Sequence, residues 1–177
     1  MKKLILYIAS SLNGYIAKPN GNVDWLESMP NPNQEDYGYF DFYNSCDVTL
    51  QGHNTYKFIL NSGHDFPYKS TKNFVFTKDT SLEDNEDVQF VAEDIPAFVK
   101  NLKKEKGKNI WLIGGAQINS LLIGHKLIDE IWIHVMPIVL NDGIPIFNSL
   151  LRDVQLELNN SKTHESGVVG ICYKIKY

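Results

Sequence analysis

Apolar positions along this chain fall either in short continuous runs or in stripes at helical spacing, separated by glycine- and proline-marked breaks. Leu4-Ile5-Leu6-Tyr7-Ile8-Ala9 is unbroken, the pattern of a strand buried on both faces of a sheet. A long loop follows, punctuated by Asn13-Gly14, Pro19-Asn20-Gly21 and Pro30. At Asn31-Pro32-Asn33-Gln34 the signals of a helix start coincide: Asn31 as cap, Pro32 at the first position, Gln34 three after the cap. The spacing then predicts a helix whose Tyr37, Phe40 and Tyr43 face the core. Asp47 to Gln51 predicts a second strand, stopped by Gly52 and followed by a short helix over Asn54 to Leu60. Asn73 to Thr77 and Val88 to Val91 are further strand candidates. Asp94 can cap a helix with Ile95, Phe98, Val99 and Leu102 on one face, closed by Gly107. Then come a strand from Asn109 to Ile113, a Gly114-Gly115 turn, a helix from Ala116 to Ile123 and a long strand from Ile128 to Val139. Partial period-two alternation on either side of Glu165-Ser166-Gly167 predicts a closing hairpin.

Strands alternating with helices and ending in a hairpin predict an α/β three-layer sandwich. Its central sheet should be mostly parallel, with an antiparallel C-terminal hairpin. The 177 residues, 43% hydrophobic and 21% charged, suit one domain around one core. Lys plus Arg number 17 against 21 Asp plus Glu, a net charge of -4, which lacks the footprint of a nucleic-acid binder. The densest basic run, Lys103 to Lys108, carries Glu105 inside it and reads as the solvated last turn of a helix. No run approaches the roughly eighteen apolar residues of a membrane span, and the first apolar run is too short for a signal peptide. Cys46 and Cys172 show no metal or disulfide spacing and are expected to be small buried hydrophobes in a reducing cytoplasm. His53, His64, His125, His134 and His164 form no i, i+4 pair, so no metal site is expected.

Candidate chemistry gathers at strand ends, where ligands of open α/β sheets bind. Gly114-Gly115-Ala116-Gln117 joins a strand to a helix, which exposes backbone N–H groups suited to phosphate. The same two glycines also fit a plain tight turn needing positive φ. Gly52-His53-Asn54-Thr55 repeats the arrangement, and Thr77-Lys78 sets a hydroxyl and a cation past a third strand end. Asp36, among Tyr37, Tyr39 and Phe40 and near Trp25, admits two readings. A partly desolvated acid with a raised pKa would bind an amino-nitrogen heterocycle; an early-helix acid would only complement the helix dipole. His134, inside an apolar strand, reads as a core or interface histidine.

Ser11-Leu12-Asn13-Gly14-Tyr15-Ile16-Ala17, Asp24-Trp25-Leu26, Gly52-His53-Asn54-Thr55-Tyr56, Trp111-Leu112-Ile113-Gly114-Gly115 and Asp129-Glu130-Ile131 together resemble the dihydrofolate reductase-like superfamily. Within it, the chain is most similar to the C-terminal reductase domain of bifunctional riboflavin-biosynthesis proteins. Pro137 to Phe147 resembles that branch's Pro-x-x-x-Gly-x-Gly-x-x-x-Phe segment, with Asn141 in place of the first glycine.

The resemblance implies an NADPH-dependent reductase of a small heterocyclic substrate, with 5-amino-6-(5-phosphoribosylamino)uracil as the nearest model. It implies that the pyrophosphate lies at Gly114, Gly115, Ala116 and Gln117 and at Gly52, His53, Asn54 and Thr55. Thr77 and Lys78 would meet the adenosine 2′-phosphate, and Ala9 and Ile16 would flank the nicotinamide. Asp36 resembles the folate-site acid of dihydrofolate reductases, with Trp25 and Phe40 beside the substrate. Where the family usually has Gly-Arg-x-Thr this chain has His53, a weaker phosphate contact than arginine's permanent fork. A homodimer in the cytoplasm is expected. The alternatives are a dihydrofolate reductase proper and a non-catalytic nucleotide-binding or dimerisation module.

Overall fold

The computed structural model describes residues 1–63 and 65–177; His64 lies outside the described residues. The chain runs β1 (Leu4–Ser11), β2 (Tyr15–Ala17), α1 (Asp24–Glu27), α2 (Tyr39–Asn44), β3 (Cys46–Gly52) and α3 (His53–Leu60). It continues β4 (Lys72–Phe76), β5 (Gln89–Val91), α4 (Ile95–Leu102), β6 (Asn109–Gly114) and α5 (Ala116–Gly124). The last elements are β7 (Glu130–Met136), β8 (Ile144–Pro145), β9 (Gln155–Thr163) and β10 (Val169–Lys176). Eight strands form one sheet in the order β5-β4-β3-β6-β1-β7-β10-β9, and β2 pairs with β8 in a small second sheet. β10 alone runs opposite to the other strands of the large sheet, antiparallel to both β7 and β9, so the sheet is mostly parallel and ends in a hairpin.

β1 sits between β6 and β7, pairing Leu4 with Ile110 and Ile5 with Glu130. Its unbroken apolar run follows from that position, because both faces are covered. Leu4 and Leu6 face one layer, with Val48, Leu50, Ile110 and Leu112, against Val99 and Leu102 of α4 and Leu122 and Ile123 of α5. Ile5 faces the other layer, with Cys46, Trp111 and Phe42 of α2. Each such fully buried Leu or Ile contributes about 1.5–3 kcal/mol relative to exposure.

Several expectations are corrected. The helix predicted from Asn31 begins instead at Tyr39. The Asn31 side chain folds the segment back on itself, accepting from the Glu35 N–H at 2.9 Å and donating to the Glu35 carbonyl at 2.8 Å. Gln34, Tyr37 and Gly38 then take positive φ, which a helix cannot hold. The shifted start turns the helix: Phe42 is buried, and Phe40 points outward at 64% exposure. The helix predicted to end at Gly107 stops at Leu102, and Lys103 is buried rather than solvated, its Nζ 2.7 Å from the Leu127 carbonyl and from Asp129. Gly107 has a different use: a Cβ there would collide with Asp47 and Lys2. The strand predicted over 128–139 spans only Glu130–Met136, because Pro137 has no N–H to continue the ladder. Cys172 is half-buried rather than buried; both cysteines are free thiols.

Candidate active site

The C-terminal ends of β1, β6, β3 and β4 open onto one cavity of about 830 Å³. Two helices start on its rim. Gly52 is the N-cap of α3 and Gly115 the N-cap of α5, and no side chain caps either helix. Their first-turn N–H groups are therefore left for something else to satisfy. Pairing of Gln51 with Gly114 between β3 and β6 sets the two starts side by side. A Cβ on Gly115 would come to 3.4 Å from the Thr55 hydroxyl, and one on Gly52 to 3.3 Å from Ile118. Glycine leaves the rim bare of side chain at both positions, and at Gly52 it also avoids a tight contact. The Gly114–Gly115 peptide is cis, and Gly114 has a φ of 111°.

Eleven of the twelve residues that the resemblance assigns to a cofactor line this cavity: Ala9, Ile16, Gly52, His53, Asn54, Thr55, Thr77, Lys78, Gly115, Ala116 and Gln117. Gly114 stands behind the wall, with the Asn119 side-chain amide packed against it. Beyond β4, the Thr77 hydroxyl lies 3.4 Å from His53 Nδ1 and accepts from the Asp79 N–H at 3.0 Å. The His53 ring meets Phe90 edge-on. Burial, and then the nearby Lys57 charge, hold the His53 pKa below its ordinary 6.5, against the pull of Asp79.

Two charged lining residues, Lys57 and Asp79, are not among those assigned from the sequence. Lys57 was within reach, since it sits inside the helix predicted over 54–60, and the observed start at His53 puts the two one turn apart on one face. Asp79 is the next residue after Lys78, and only the turn beyond β4 brings it to the cavity.

The residues assigned to the substrate lie elsewhere. Asp36, Trp25 and Phe40 do not line the cavity. Asp36 is exposed, and its carboxylate accepts from the Phe40 N–H at 3.0 Å and the Gly38 N–H at 2.9 Å. These bonds, from Phe40 first and then Gly38, lower its pKa, so the expectation of a raised one is corrected. Of its two readings, the structure has the one at a helix start. Trp25 is a core residue, 3% exposed and packed with Met136, Leu140 and Val168. Phe40 faces solvent.

His134 pairs with Ala9 in the β1–β7 ladder, and its ring stands 5.1 Å from that of Tyr7. It is half-buried, and that burial lowers its pKa. The loop before α2 is tied to the tail hairpin by His164 with Glu35, Tyr37 with Ser166 and Asn33 with Glu165. Among the described residues no group of three or more His, Cys, Asp or Glu side chains is arranged to hold a metal.

Comparison with known proteins adds a family to this geometry. Residues 2–170 match the RibD C-terminal domain. The uncharacterized protein YwjB of Bacillus subtilis (strain 168) is 40% identical over 161 residues, 91% of each chain. A crystal structure of a putative riboflavin biosynthesis protein from Shewanella sp. PV-4 superposes with a TM-score of 0.88 at 31% identity, covering 99% of both chains. A diaminohydroxyphosphoribosylaminopyrimidine deaminase/5-amino-6-(5-phosphoribosylamino)uracil reductase from Thermotoga maritima matches at a TM-score of 0.74 and 17% identity. That match covers 99% of this chain and 57% of the other. Dihydrofolate reductase from Enterococcus faecalis, solved with NADP(H), matches at a TM-score of 0.71 and 16% identity, over 99% and 97% of the two chains. The fold is dihydrofolate reductase-like.

Proposed function

This chain belongs to the RibD C-terminal domain family, and from that membership we propose an NADPH-dependent reductase of a small heterocyclic substrate, most like 5-amino-6-(5-phosphoribosylamino)uracil. One observation carries the cofactor half of this reading: two uncapped helix starts stand side by side on the rim of a single cavity. Their N–H groups and dipoles suit a pyrophosphate. The cavity also reaches from Ala9 on β1 to Thr77 beyond β4, which is three strand spacings, roughly 14 Å. That is a fit for an extended dinucleotide rather than a lone phosphate.

When bound, the nicotinamide of such a cofactor supplies a hydride. The chain's own work is binding and exclusion of water. Ala9 leaves room at the end of β1 because its side chain is one methyl group. Ile8, Ile16 and Ile113 around it give an apolar wall that keeps solvent from a reacting carbon. The proton that follows the hydride does not come from Asp36 in this reading, since that carboxylate is committed to two backbone N–H groups. This weakens the case for a dihydrofolate reductase proper, which rested on a desolvated Asp36.

Titration with NADPH, followed by tryptophan fluorescence, tests the cofactor half. Saturable quenching is expected, and its absence would leave only the non-catalytic module. Loss of nicotinamide absorbance on adding the phosphoribosylamino-pyrimidine, but not dihydrofolate, tests the substrate half. The expected homodimer finds support in the outer strand β9, exposed along its whole length with Leu156 at 43% and Leu158 at 57%. No helix among the described residues is long and apolar enough to cross a membrane.

A further inference from the structure

The end of the cavity beyond β4 carries more charge than the resemblance assigns to it. Lys57 lies one helical turn after His53 on α3, and both line the cavity. Lys78 and Asp79 enter from the chain that leaves β4. Asp79 is held in place there: its carboxylate accepts from the Ser81 N–H at 3.0 Å and the Ser81 hydroxyl at 2.6 Å, while its own N–H donates to Thr77. Those bonds from Ser81 lower its pKa, so it is ionised at neutral pH. Among the described residues none of Lys57, Lys78 and Asp79 is engaged in an ion pair.

The geometry points to Lys57 and Asp79 as opposed determinants of cofactor choice: Lys57 draws in a phosphorylated adenosine ribose, and Asp79 disfavours it. A fixed cation attracts a 2′-phosphate. A fixed carboxylate repels it and accepts a hydrogen bond from a free 2′-hydroxyl. With His53 largely neutral where the family carries arginine, and Lys78 directed at the same phosphate, Lys57 and Asp79 tune the preference from opposite sides. Changing one side chain at a time moves it in opposite directions. This inference rests on the reductase reading above.

The test is direct titration of the full chain with NADPH and with NADH, followed by tryptophan fluorescence and requiring no substrate. Lys57→Gln is expected to weaken NADPH about fivefold and to leave NADH within about twofold. Asp79→Asn is expected to tighten NADPH about fivefold with no gain for NADH. Lys57→Glu extends the series and should turn the preference toward NADH. Asp79→Ser keeps a side-chain acceptor for the Ser81 turn, in case the asparagine disturbs the fold. Equal changes for both nucleotides, or none, would overturn the inference while leaving the reductase reading intact. If the unaltered chain binds neither nucleotide, both fall together.

Discussion

Four of the five helix starts among the described residues divide into two kinds. At α2 and α4 an acid from the chain itself takes up free N–H groups: Asp36 serves Gly38 and Phe40, and Asp94 accepts from Ala97 at 3.1 Å. At α3 and α5 the N-cap is glycine and no side chain does so. The α2 start lies away from the cavity and only Ile95 of the α4 start touches it, whereas the two uncapped starts form its rim. Where the chain satisfies its own backbone it builds scaffold. Where it leaves donors open, side by side, it leaves room for an anion.

Substitutions can press on each side of this division. The largest expected effect is on the scaffold side, where Phe42→Ala should cost about 3–5 kcal/mol of stability, against about 0.5 kcal/mol or less for Phe40→Ala. Denaturant unfolding checks the pair, and similar costs would mean that α2 is not anchored as described. Next, Gly115→Asp gives an uncapped start its own carboxylate. NADPH affinity should fall about a hundredfold while Tm holds or rises, as fluorescence titration and thermal unfolding would report. Retained affinity would place the phosphate elsewhere. Removing a cap is milder: Asp94→Ala should cost about 1 kcal/mol and leave nucleotide affinity alone.

The smallest expected effect concerns Asp36. Its pKa is lowered in the folded chain, so its charge contributes stability above the ordinary value of 3.8. That contribution is lost as pH falls through the lower folded value. Asp36→Asn should flatten the acid limb of a Tm-against-pH curve and spare nucleotide binding. A steeper limb, or lost binding, would return the residue to the site.

What was legible in the sequence follows the same division. Strand ends marked by Gly52 and Gly114-Gly115 are local signals, and the order of strands and helices carries them to one rim without further information. The segment from Asn31 to Tyr39 was not legible. Its cap signals are real hydrogen-bonding groups, but Asn31 spends its side chain on Glu35 and so closes a loop instead of opening a helix. The loop is also tied to Ser166, Glu165 and His164, some 130 residues along the chain, which no local pattern reports. Trp25 failed differently: an aromatic beside an acid in sequence looks the same whether it lines a pocket or fills the core, and only the packing with Met136 and Leu140 decides.

The place of β1 in the sheet bears on how the chain comes to be folded at all. Its partners on both sides, β6 and β7, lie more than a hundred residues further along. A nascent chain thus carries Leu4 to Ala9 as a bare adhesive stretch through most of its synthesis. The sheet's centre can close only once β6 and β7, which follow the flank strands β3 to β5 in sequence, are present. Such non-local pairing slows folding and invites intermolecular sticking in the interval. Chaperone demand and yield at high expression should therefore answer to the exposure of this one segment more than to the stability of the finished fold.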